Sequence, residues 1–440
     1  MSVAETVGTV NLGTFDAESR WRPDDLAQLP AVADVQSRAQ VATMDEMLLG
    51  FCEPGDALVT RYPVAAPLRE AFAGAGFAPR YLSVVDEDEW LSSEAPRGAT
   101  VERLLLGAPR ALREISRYPG FVPYAVLPDT VELAARTGHG HSVPDVAAVA
   151  RANSKVFSDD LAHRLGLPAG RTVRSVAELS AAVAETDGTA VIKDPFGVGG
   201  RGILEVDRPA VLRTITRYLG RQVGDGRRVE LVVQPKWPKR ADFSGYLDIT
   251  RAGGVEFLGT QSVEHRGLSH VGVGPLSGEL ADEADRQGFS RTLVRLGAAI
   301  AAEGYWGPVG VDSLLLGDGR IVPVLEINAR RSIGMLNMAI DRRVRGTGLR
   351  SHLWRVSLVV RHEDAIGRLL DELAAAGALH SEASPGGVLP LTGSVLRPPR
   401  GRLECAFICL PSEVETWRQR LTRAAEAVGM RPVGAPAGAR

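Results

Sequence analysis

Cysteine and long hydrophobic runs are both scarce in this sequence of 440 residues. Its three cysteines, Cys52, Cys405 and Cys409, are too few for a disulfide framework, and none has a zinc-binding spacing with histidine. No apolar run approaches the roughly 18 residues of a membrane span. The first residues lack the basic and apolar regions of a signal peptide. We therefore expect a cytoplasmic protein without a membrane partner.

An excess of charge of one sign is missing as well. The formal net charge of −2 provides no basic field for nucleic acid, so no nucleic-acid partner is expected. Nearly all basic residues are arginine, and lysine occurs only at Lys155, Lys193, Lys236 and Lys239. A compact ammonium suits a phosphate where a planar guanidinium is too large, so these lysines are candidates for phosphate contacts.

Length and hydrophobic pattern predict two or three domains, and the first hundred residues are typical of an α/β unit. We predict helices at 41–49, 66–74, 154–165, 175–185, 208–219, 281–303 and 364–379, with a further helix capped by Ser412 and Glu415. We predict strands at 9–12, 57–61, 81–85, 189–193, 203–206, 229–234, 245–250, 255–260, 309–316, 321–328 and 403–410. Residues 431–440 are predicted to be a disordered tail.

The stretch 191–203, VIKDPFGVGGRGI, has glycines in the spacing of a dinucleotide fingerprint, at Gly197, Gly199 and Gly202. That fingerprint opens a helix, whereas the residues after Gly202 favour a strand, and no Walker A motif occurs. The stretch therefore predicts a hairpin flap that covers nucleotide phosphates through backbone N–H groups, with Lys193 ending the incoming strand. The alternative is a flexible turn with a surface lysine.

A second hairpin is predicted from the strands 309–316 and 321–328. Alternate side chains of a strand share a face, so Glu326 and Asn328 project together and offer the hard oxygen ligands that Mg²⁺ prefers. Asp312 comes to lie directly opposite Glu326 only if the loop has three residues or the pair contains a bulge. Opposed carboxylates repel, and a cation between them resolves the conflict. A solvated acidic face is the alternative.

Between these hairpins, an apolar strand at 229–234 runs into a polar turn, which can stack an adenine and offer backbone groups to its edge. Gln234 could accept a hydrogen bond from the exocyclic amine. A buried strand without a ligand is the alternative reading of this segment alone.

Together these segments resemble, in their order, the ATP-grasp ligases. The match runs from Asn153 to about Asn337, and it comprises the segments NSK, LGLPAG, VIKDPFGVGGRGI, LVVQPKW, ADFSGYLDI, GPVGVDSLLL and VLEINARRS. The resemblance implies an α/β (α+β mixed) ATP-grasp fold. It places an N-terminal α/β pre-ATP-grasp domain at 1–145, an ATP-grasp domain at 146–362 with a lid subdomain at about 186–240, and a small C-terminal α/β domain at 363–440.

The resemblance also assigns roles to residues. Lys155 and Lys193 would contact ATP phosphates, and Arg330 would steady an acyl phosphate. The catalytic candidates are Lys193 and Arg330. The flap and the hinge around the nucleotide would comprise Gly197, Gly199, Gly200, Gly202, Gln234, Pro235, Lys236, Trp237 and, near the ribose, Asp242. The metal ligands would be Asp312, Glu326 and Asn328, which would hold two Mg²⁺ ions, with Mn²⁺ as a substitute. Many relatives carry glutamate where this chain has Gln234.

The reaction implied by the resemblance begins with attack of a carboxylate on the γ-phosphate of ATP, and an amine then displaces phosphate from the acyl phosphate. Within the family the chain resembles the pheganomycin-type peptide ligases of antibiotic biosynthesis. The alternatives are an amino-acid ligase or a carboxylase-type enzyme of primary metabolism, and a nucleotide sensor without catalysis. A nicotinamide oxidoreductase is disfavoured by the context of the glycines.

The expected partners are a small carboxylic acid and an amine or peptide, with a homodimer as an alternative to a monomer. Residues 263–270 contain two of the eight histidines and are predicted to form a loop that meets the carboxylate substrate, with contacts from His265 and Arg266. Arg331 is a further candidate for holding a substrate carboxylate. The segment after residue 364 could cap the site, recognise the second substrate or form a dimer.

Overall fold

The computed structural model describes residues 8–30, 41, 43–85, 99–186, 189–197, 202–267 and 269–433. Within these ranges the chain forms three β-sheets with helices packed against them. A hydrophobic cluster extends from Phe15 near the N-terminus to Met430 near the C-terminus, so these parts share one core. None of the described helices is both long and apolar enough to cross a membrane.

The N-terminal part forms a sheet of four parallel strands, which are β1 (Thr9–Leu12), β2 (Ala57–Thr60), β3 (Arg80–Ser83) and β4 (Gly120–Pro123). Their order is β3-β2-β1-β4. The helices of this part are α1 (Glu18–Trp21), α2 (Ala66–Gly74), α3 (Val101–Leu106), α4 (Pro109–Ile115) and α5 (Pro128–Arg136), with 3₁₀ helices at Met44–Phe51 and Gly140–Ser142. The predicted α/β unit is confirmed, although the helix expected at 41–49 is a 3₁₀ helix over most of its described length.

A smaller antiparallel sheet follows two linking helices. The elements in chain order are α6 (Val146–Ala152), α7 (Lys155–Arg164), β5 (Arg171–Val173), α8 (Val176–Ala184), β6 (Ala190–Lys193), β7 (Ile203–Val206), α9 (Pro209–Gly224) and β8 (Leu231–Pro235). The strand order is β5-β8-β6-β7, and we call this unit the lid sheet. Its core includes Ile192 and Val233 together with Ala27 and Leu29 from the N-terminal segment.

The third sheet has nine strands and carries most of the candidate site. Its strands are β9 (Lys239–Ile249), β10 (Val255–Arg266), β11 (Ser269–Pro275), β12 (Gly307–Leu316), β13 (Ile321–Asn328), β14 (Arg350–Val359), β15 (Gly387–Pro390), β16 (Arg400–Cys409) and β17 (Arg431–Pro432). The order is β13-β12-β9-β10-β11-β14-β16-β15, and β17 pairs with β14. The C-terminal strands therefore extend the sheet that holds the hairpin β12–β13.

The helices of this last part are α10 (Gly278–Arg286), α11 (Phe289–Ala302), α12 (Ile333–Val344), α13 (Ala365–Ala375) and α14 (Val414–Ala427), with 3₁₀ helices at Arg345–Thr347 and Pro411–Glu413. The single helix predicted at 281–303 is wrong, because Gly288 adopts φ +66° and divides α10 from α11. Ser412 is not the cap of α14, whose first turn follows Glu413 without a side-chain cap.

The elements that were not predicted include α12, β14 and β15 here and, elsewhere in the chain, α3 to α6, β4, β5 and β11. Residue 431, the predicted start of a disordered tail, instead begins the short strand β17, and 434–440 lie outside the described residues. The domain boundaries at 145 and 362 stay a prediction.

Candidate active site

A large cleft lies where the three sheets meet. Its cavity volume is about 1540 Å³, and it is lined by residues of the N-terminal segment, the lid sheet, the strands β9 to β13 and the C-terminal part. Most of the residues predicted for ATP, metal and substrate contacts line this cleft, including Lys193, Asp312, Glu326 and Arg330. Amino acids that are far apart in the chain are thus gathered in one place.

A bulge in the hairpin β12–β13 aligns two of the candidate metal ligands. Near the turn Leu314 pairs with Val322, whereas farther along Asp312 pairs with Glu326, so β13 has additional residues between these two positions. Asp312 and Glu326 therefore lie opposite each other on one face. Both features that the sequence offered as alternatives are present, because three residues, 317–319, lie between the bonded Leu316 and Arg320, and the bulge then shifts the partner of Asp312 to Glu326.

The Asp312 carboxylate is held by neighbours on both sides. Ser244 of β9 donates a hydrogen bond to Asp312 Oδ1 at 2.7 Å, and Asn328 Nδ2 donates to Asp312 Oδ2 at 3.1 Å. Burial, and next the negative charge of Glu326, raise the pKa of Asp312, while these two hydrogen bonds oppose the rise. A bound cation would relieve this unfavourable pairing of carboxylates.

Lys155 connects the second carboxylate with the flap. Its Nζ lies 2.8 Å from Glu326 Oε1 and donates to the Gly197 carbonyl at 2.8 Å, although the side chain is only 2% exposed. The start of α7 is fixed to the end of β13 because Asn153 exchanges two hydrogen bonds with the Ala329 backbone. This attachment explains why a lysine in the NSK segment reaches a carboxylate more than a hundred residues away in sequence.

Lys193 lies on the other side of the carboxylates. Its buried Nζ donates to the carbonyl of Leu325 at 3.2 Å, a residue within the bulge of β13. Burial and the charge of Lys155 lower the pKa of Lys193 to about 8, although Glu326 and Asp312 act in the opposite direction. A buried ammonium with one carbonyl partner can still donate to a phosphate oxygen in the cleft.

Arg330 joins the metal-candidate hairpin to the N-terminal part. Its Nε donates to Glu18 Oε1 at 2.8 Å, its Nη1 to the Tyr124 hydroxyl at 3.2 Å, and its Nη2 to Asn328 Oδ1 at 3.1 Å. Burial disfavours the charge on Arg330, but Glu18, Tyr124 and Glu326 outweigh burial and raise its pKa. The guanidinium is therefore a fixed cation at the edge of the cleft.

The base of the flap is described, but its tip is not. Asp194 N–H donates to the Gly202 carbonyl at 2.7 Å, and Gly202 has φ +78°, which favours glycine. The carboxylate of Asp194 forms a buried ion pair with Arg22 from the N-terminal segment. Gly199 and Gly200 lie outside the described residues, and their role stays a prediction.

The predicted adenine hinge lines the cleft through Gln234, Pro235, Lys236 and Trp237. The amide nitrogen of Gln234 donates to Asp159 Oδ1 at 3.3 Å, so this side chain is held against α7. Lys236 instead forms an exposed ion pair with Glu205 at 2.5 Å. Lys155 and Lys193 thus lie beside the opposed carboxylates, whereas Lys236 is paired with strand β7 of the lid sheet.

The segment 263–270 was predicted as a loop, and this prediction is wrong. Strand β10 continues to Arg266 and β11 begins at Ser269, with His265 paired to His270 across a hairpin. His265 Nδ1 lies 3.4 Å from Asp242 Oδ2, and His265, Arg266 and Asp242 all line the cleft. The desolvation of Asp242 is outweighed by hydrogen bonds from His265 and Lys239, which lower its pKa.

Arg331 is directed away from its predicted position. Its Nη1 donates to Asn11 Oδ1 at 2.8 Å, and the guanidinium lies 4.2 Å from the centroid of the Phe51 ring. Burial lowers the pKa of Arg331 to about 10. Arg331 is not among the described residues that line the cleft, so the geometry favours a contact between β13 and the N-terminal sheet.

The candidate metal ligands are oxygen atoms of the kind that Mg²⁺ prefers. In this structure they form hydrogen bonds and ion pairs with protein side chains. No group of three or more His, Cys, Asp or Glu side chains suited to a metal occurs in the described part of the chain. The set consists of two carboxylates and the Asn328 amide oxygen, which accepts from Arg330, while Glu326 pairs with Lys155. Such a sparse oxygen set suits an ion that takes its remaining ligands from phosphate and water.

Several neighbours of the site were missed from sequence. Ser244 could have been found, because it lies two residues after Asp242 and therefore on the same face of β9. Glu18, Tyr124 and Arg22 gave no such signal, because their contacts with Arg330 and Asp194 depend on how the N-terminal part packs on the rest.

Known proteins share sequence or fold with this chain. No protein-family model matches the sequence. The chain is 25% identical over 316 residues to a [butirosin acyl-carrier protein]–L-glutamate ligase of Niallia circulans, a match that covers 68% of this chain and 67% of the relative.

Two solved structures extend this likeness to most of the fold. A biotin carboxylase from Campylobacter jejuni in complex with β,γ-ATP has a TM-score of 0.54 at 13% identity and covers 90% of both chains. The N5-carboxyaminoimidazole synthase of Aspergillus clavatus, with ADP and aminoimidazole ribonucleotide, has a TM-score of 0.52 at 12% identity and covers 96% of this chain and 100% of its own. The chain therefore has the ATP-grasp fold and is similar to carbon–nitrogen ligases, as its sequence predicted.

Proposed function

We propose that this protein uses ATP to join a carboxylate to an amine through an acyl phosphate. A carboxylate oxygen attacks the γ-phosphorus, and the bond between that phosphorus and the ADP oxygen breaks. The amine nitrogen then attacks the acyl carbon, the bond from carbon to the phosphate oxygen breaks, and the nitrogen loses a proton. The products are an amide, ADP and phosphate. Neither step needs a nucleophile from the protein.

The arrangement of Asp312, Glu326, Lys193 and Arg330 in one cleft, with the buried Lys155 paired to Glu326 beside it, carries this proposal. Phosphoryl transfer between anions requires fixed positive charge around the transferred group, and the two buried lysines and the arginine provide it. The opposed carboxylates have no use in a site for anions unless a cation accompanies the nucleotide. An oxidoreductase would need neither feature.

Each group has a defined task in the proposed reaction. Lys155 and Lys193 bind phosphate oxygens and hold the γ-phosphate in place, and Lys155 also holds the flap through Gly197. Arg330 binds the phosphate of the acyl phosphate intermediate. Asp312, Glu326 and Asn328 would hold Mg²⁺, which neutralises charge on the nucleotide phosphates. We expect the flap, whose base residues Gly197 and Gly202 line the cleft, to exclude water, which would hydrolyse the intermediate.

The named relative indicates the type of substrate. It is described as joining L-glutamate to an acyl-carrier protein, so an amino acid is one of its two reactants. By this similarity we propose that the present protein forms a peptide bond or a related amide, as a peptide ligase of secondary metabolism. The acid and the amine themselves stay open.

A substrate screen tests the proposal. The protein is incubated with Mg²⁺, ATP and pairs of amino acids, small carboxylic acids and amines, and ADP release is followed before product masses are measured. We expect ADP release that requires both an acid and an amine, with a product equal to their sum minus water. ADP release with bicarbonate as the acid would instead support a carboxylase, and ATP binding without any turnover would support a sensor.

A further inference from the structure

Glu18 is an unusual residue in the wall of the cleft. It is the first residue of the short helix α1, it is only 4% exposed, and it lines the cleft beside Arg330. The helix is fixed in place because Trp21 Nε1 donates to the Val126 carbonyl at 2.9 Å. Burial of a carboxylate at the wall of a cleft is unfavourable because the group loses its hydration, so we expect partners that compensate for this loss.

The two oxygens of this carboxylate differ. Oε1 accepts hydrogen bonds from Nε and Nη2 of Arg330. Oε2 is buried and has no hydrogen-bond partner among the described residues. An ionised carboxylate oxygen buried without a donor is costly, and native proteins leave few such atoms unsatisfied. The free oxygen therefore points to a ligand that brings its own donor.

The chemistry of the neighbourhood restricts this ligand. ATP and an acyl phosphate are anions and would be repelled by Glu18. A dication would be opposed at this point by the fixed charge of Arg330, which already neutralises the other carboxylate oxygen. A primary amine, which carries several N–H donors on one nitrogen, satisfies Oε2 at the lowest electrostatic cost.

The surrounding surface suits the same group. Phe15 and Tyr124 line the cleft with Glu18, and their rings are stacked with centroids 4.0 Å apart. The Arg330 guanidinium lies 5.5 Å from the Tyr124 ring centroid, so this ring already has a cation beside it, and the aromatic pair offers cover for the apolar atoms next to an amine. Arg330, which contacts Glu18, also donates to Asn328 next to the carboxylate pair, so the free oxygen lies close to the phosphate end of the cleft.

We propose that Glu18 binds the amine group of the second substrate through Oε2 and so places the amine next to the acyl phosphate on Arg330. This inference rests on the proposed ligase function. It assigns the acceptor site to the wall formed by Phe15, Glu18 and Tyr124, and it makes Glu18 a determinant of amine recognition.

The test separates the two halves of the reaction. With the acid found in the screen, ATP and hydroxylamine, an uncharged nucleophile near neutral pH, hydroxamate formation reports acyl phosphate formation alone. Glu18→Gln keeps the shape of the side chain but removes its charge. We expect the KM for the amine found in the screen to rise roughly 10- to 100-fold. Hydroxamate formation and the KM values for acid and Mg²⁺ should stay within about threefold of wild type.

Asp16→Asn provides a matched control, since it makes the same carboxylate-to-amide change two residues away outside the cleft lining, and it should leave all of these constants unchanged. An unaltered amine KM in Glu18→Gln would overturn the inference, as would an equal loss of hydroxamate formation. If the wild-type protein forms no hydroxamate with any acid, the ligase proposal itself fails, independently of Glu18.

The wild-type protein offers a second measurement in case Glu18→Gln folds poorly, which thermal melting would reveal. The amine and the alcohol of the same shape are compared as ligands of the protein with ATP and acid absent. Binding of the amine should be at least about tenfold tighter than binding of the alcohol, since only the amine pairs with a carboxylate. Equal affinity would contradict the assignment.

Discussion

Two bulged hairpins of the same sheet flank the cleft, and they place very different side chains in apposition. In β12–β13 the bulge brings Asp312 opposite Glu326, and these two carboxylates repel each other. In β10–β11 the register shifts next to His265, which pairs with His270 at a ring distance of 6.1 Å. Both hairpins line the cleft, yet of these two only the first places two carboxylates opposite each other.

The difference lies in what surrounds each pair. The carboxylates are flanked by Lys155 and Lys193, which balance their charge, and they face the part of the cleft where we propose that the phosphates bind. His270 has no such counter-ion, and burial, with the nearby charge of Arg355, lowers its pKa to about 3. The first hairpin therefore opposes two charged carboxylates, whereas the second opposes His265 to the uncharged His270. This contrast is open to direct tests.

Removal of one carboxylate should have the largest effect. In Glu326→Gln or Asp312→Asn, we expect acid- and amine-dependent ADP release to fall by roughly 10²- to 10³-fold, because the charge that would hold Mg²⁺ at the phosphates is halved. ADP release is measured over a range of Mg²⁺ concentrations, and thermal melting checks the fold.

The matched control for these variants is Asp318→Asn in the turn of the same hairpin. Its carboxylate is exposed and bonds only Arg320 among the described residues, so turnover should be that of wild type. Full activity in Glu326→Gln at ordinary Mg²⁺ would remove the metal assignment and, with it, the contrast between the hairpins.

Lys193, beside the first hairpin, should make ATP binding depend on pH. We expect this effect to be smaller than that of removing a carboxylate. Its pKa in the free protein is about 8, below the ordinary value for lysine, so the ammonium is charged below that pH and loses its proton as pH rises through it. ATP phosphates are already ionised there. We expect the ATP dissociation constant to increase roughly tenfold from about one pH unit below to one unit above this pKa.

Isothermal calorimetry with wild type and Lys193→Met measures this effect. The variant should bind ATP more weakly at the lower pH and show little change across the interval, because the titrating group is absent. A pH dependence that survives in Lys193→Met would assign the titration to another group and would leave Lys193 without its proposed role.

The parts of the fold that follow from local pattern were predictable from sequence. Alternation along strands identified Glu326 and Asn328 as neighbours on one face. The length of the adjacent turn did not by itself determine whether Asp312 pairs with Glu326, and the bulge establishes this pairing. The flap hairpin was separated from a dinucleotide fold because Ile203–Val206 favours a strand, and β7 has these bounds.

The remainder depends on contacts between distant segments, which local pattern does not encode. Glu18 and Arg330 are more than three hundred residues apart, and their pairing follows from packing of the N-terminal part on β13. The polar composition of 263–270 favoured a loop. The end of the hairpin β10–β11 extends beyond the pairing with β9, which stops at Val263, so polar side chains are tolerated there, and Gly267 with φ +63° permits a tight turn. Similarly, β14 to β17 join a sheet whose first strand lies more than a hundred residues earlier.

Replacement of His270 should have the smallest effect and tests the neutral hairpin. Since its pKa is about 3, His270 is uncharged throughout the working range, and His270→Gln preserves a neutral polar side chain. We expect the KM values for acid and amine to change by no more than about threefold, and the pH profile of turnover between about pH 5 and 8 to keep its shape. Steady-state kinetics over that range provide the measurement. If wild-type turnover fell on the acidic side of the pH profile and this fall were absent in the variant, His270 would titrate during turnover. The second hairpin would then carry charge as the first does.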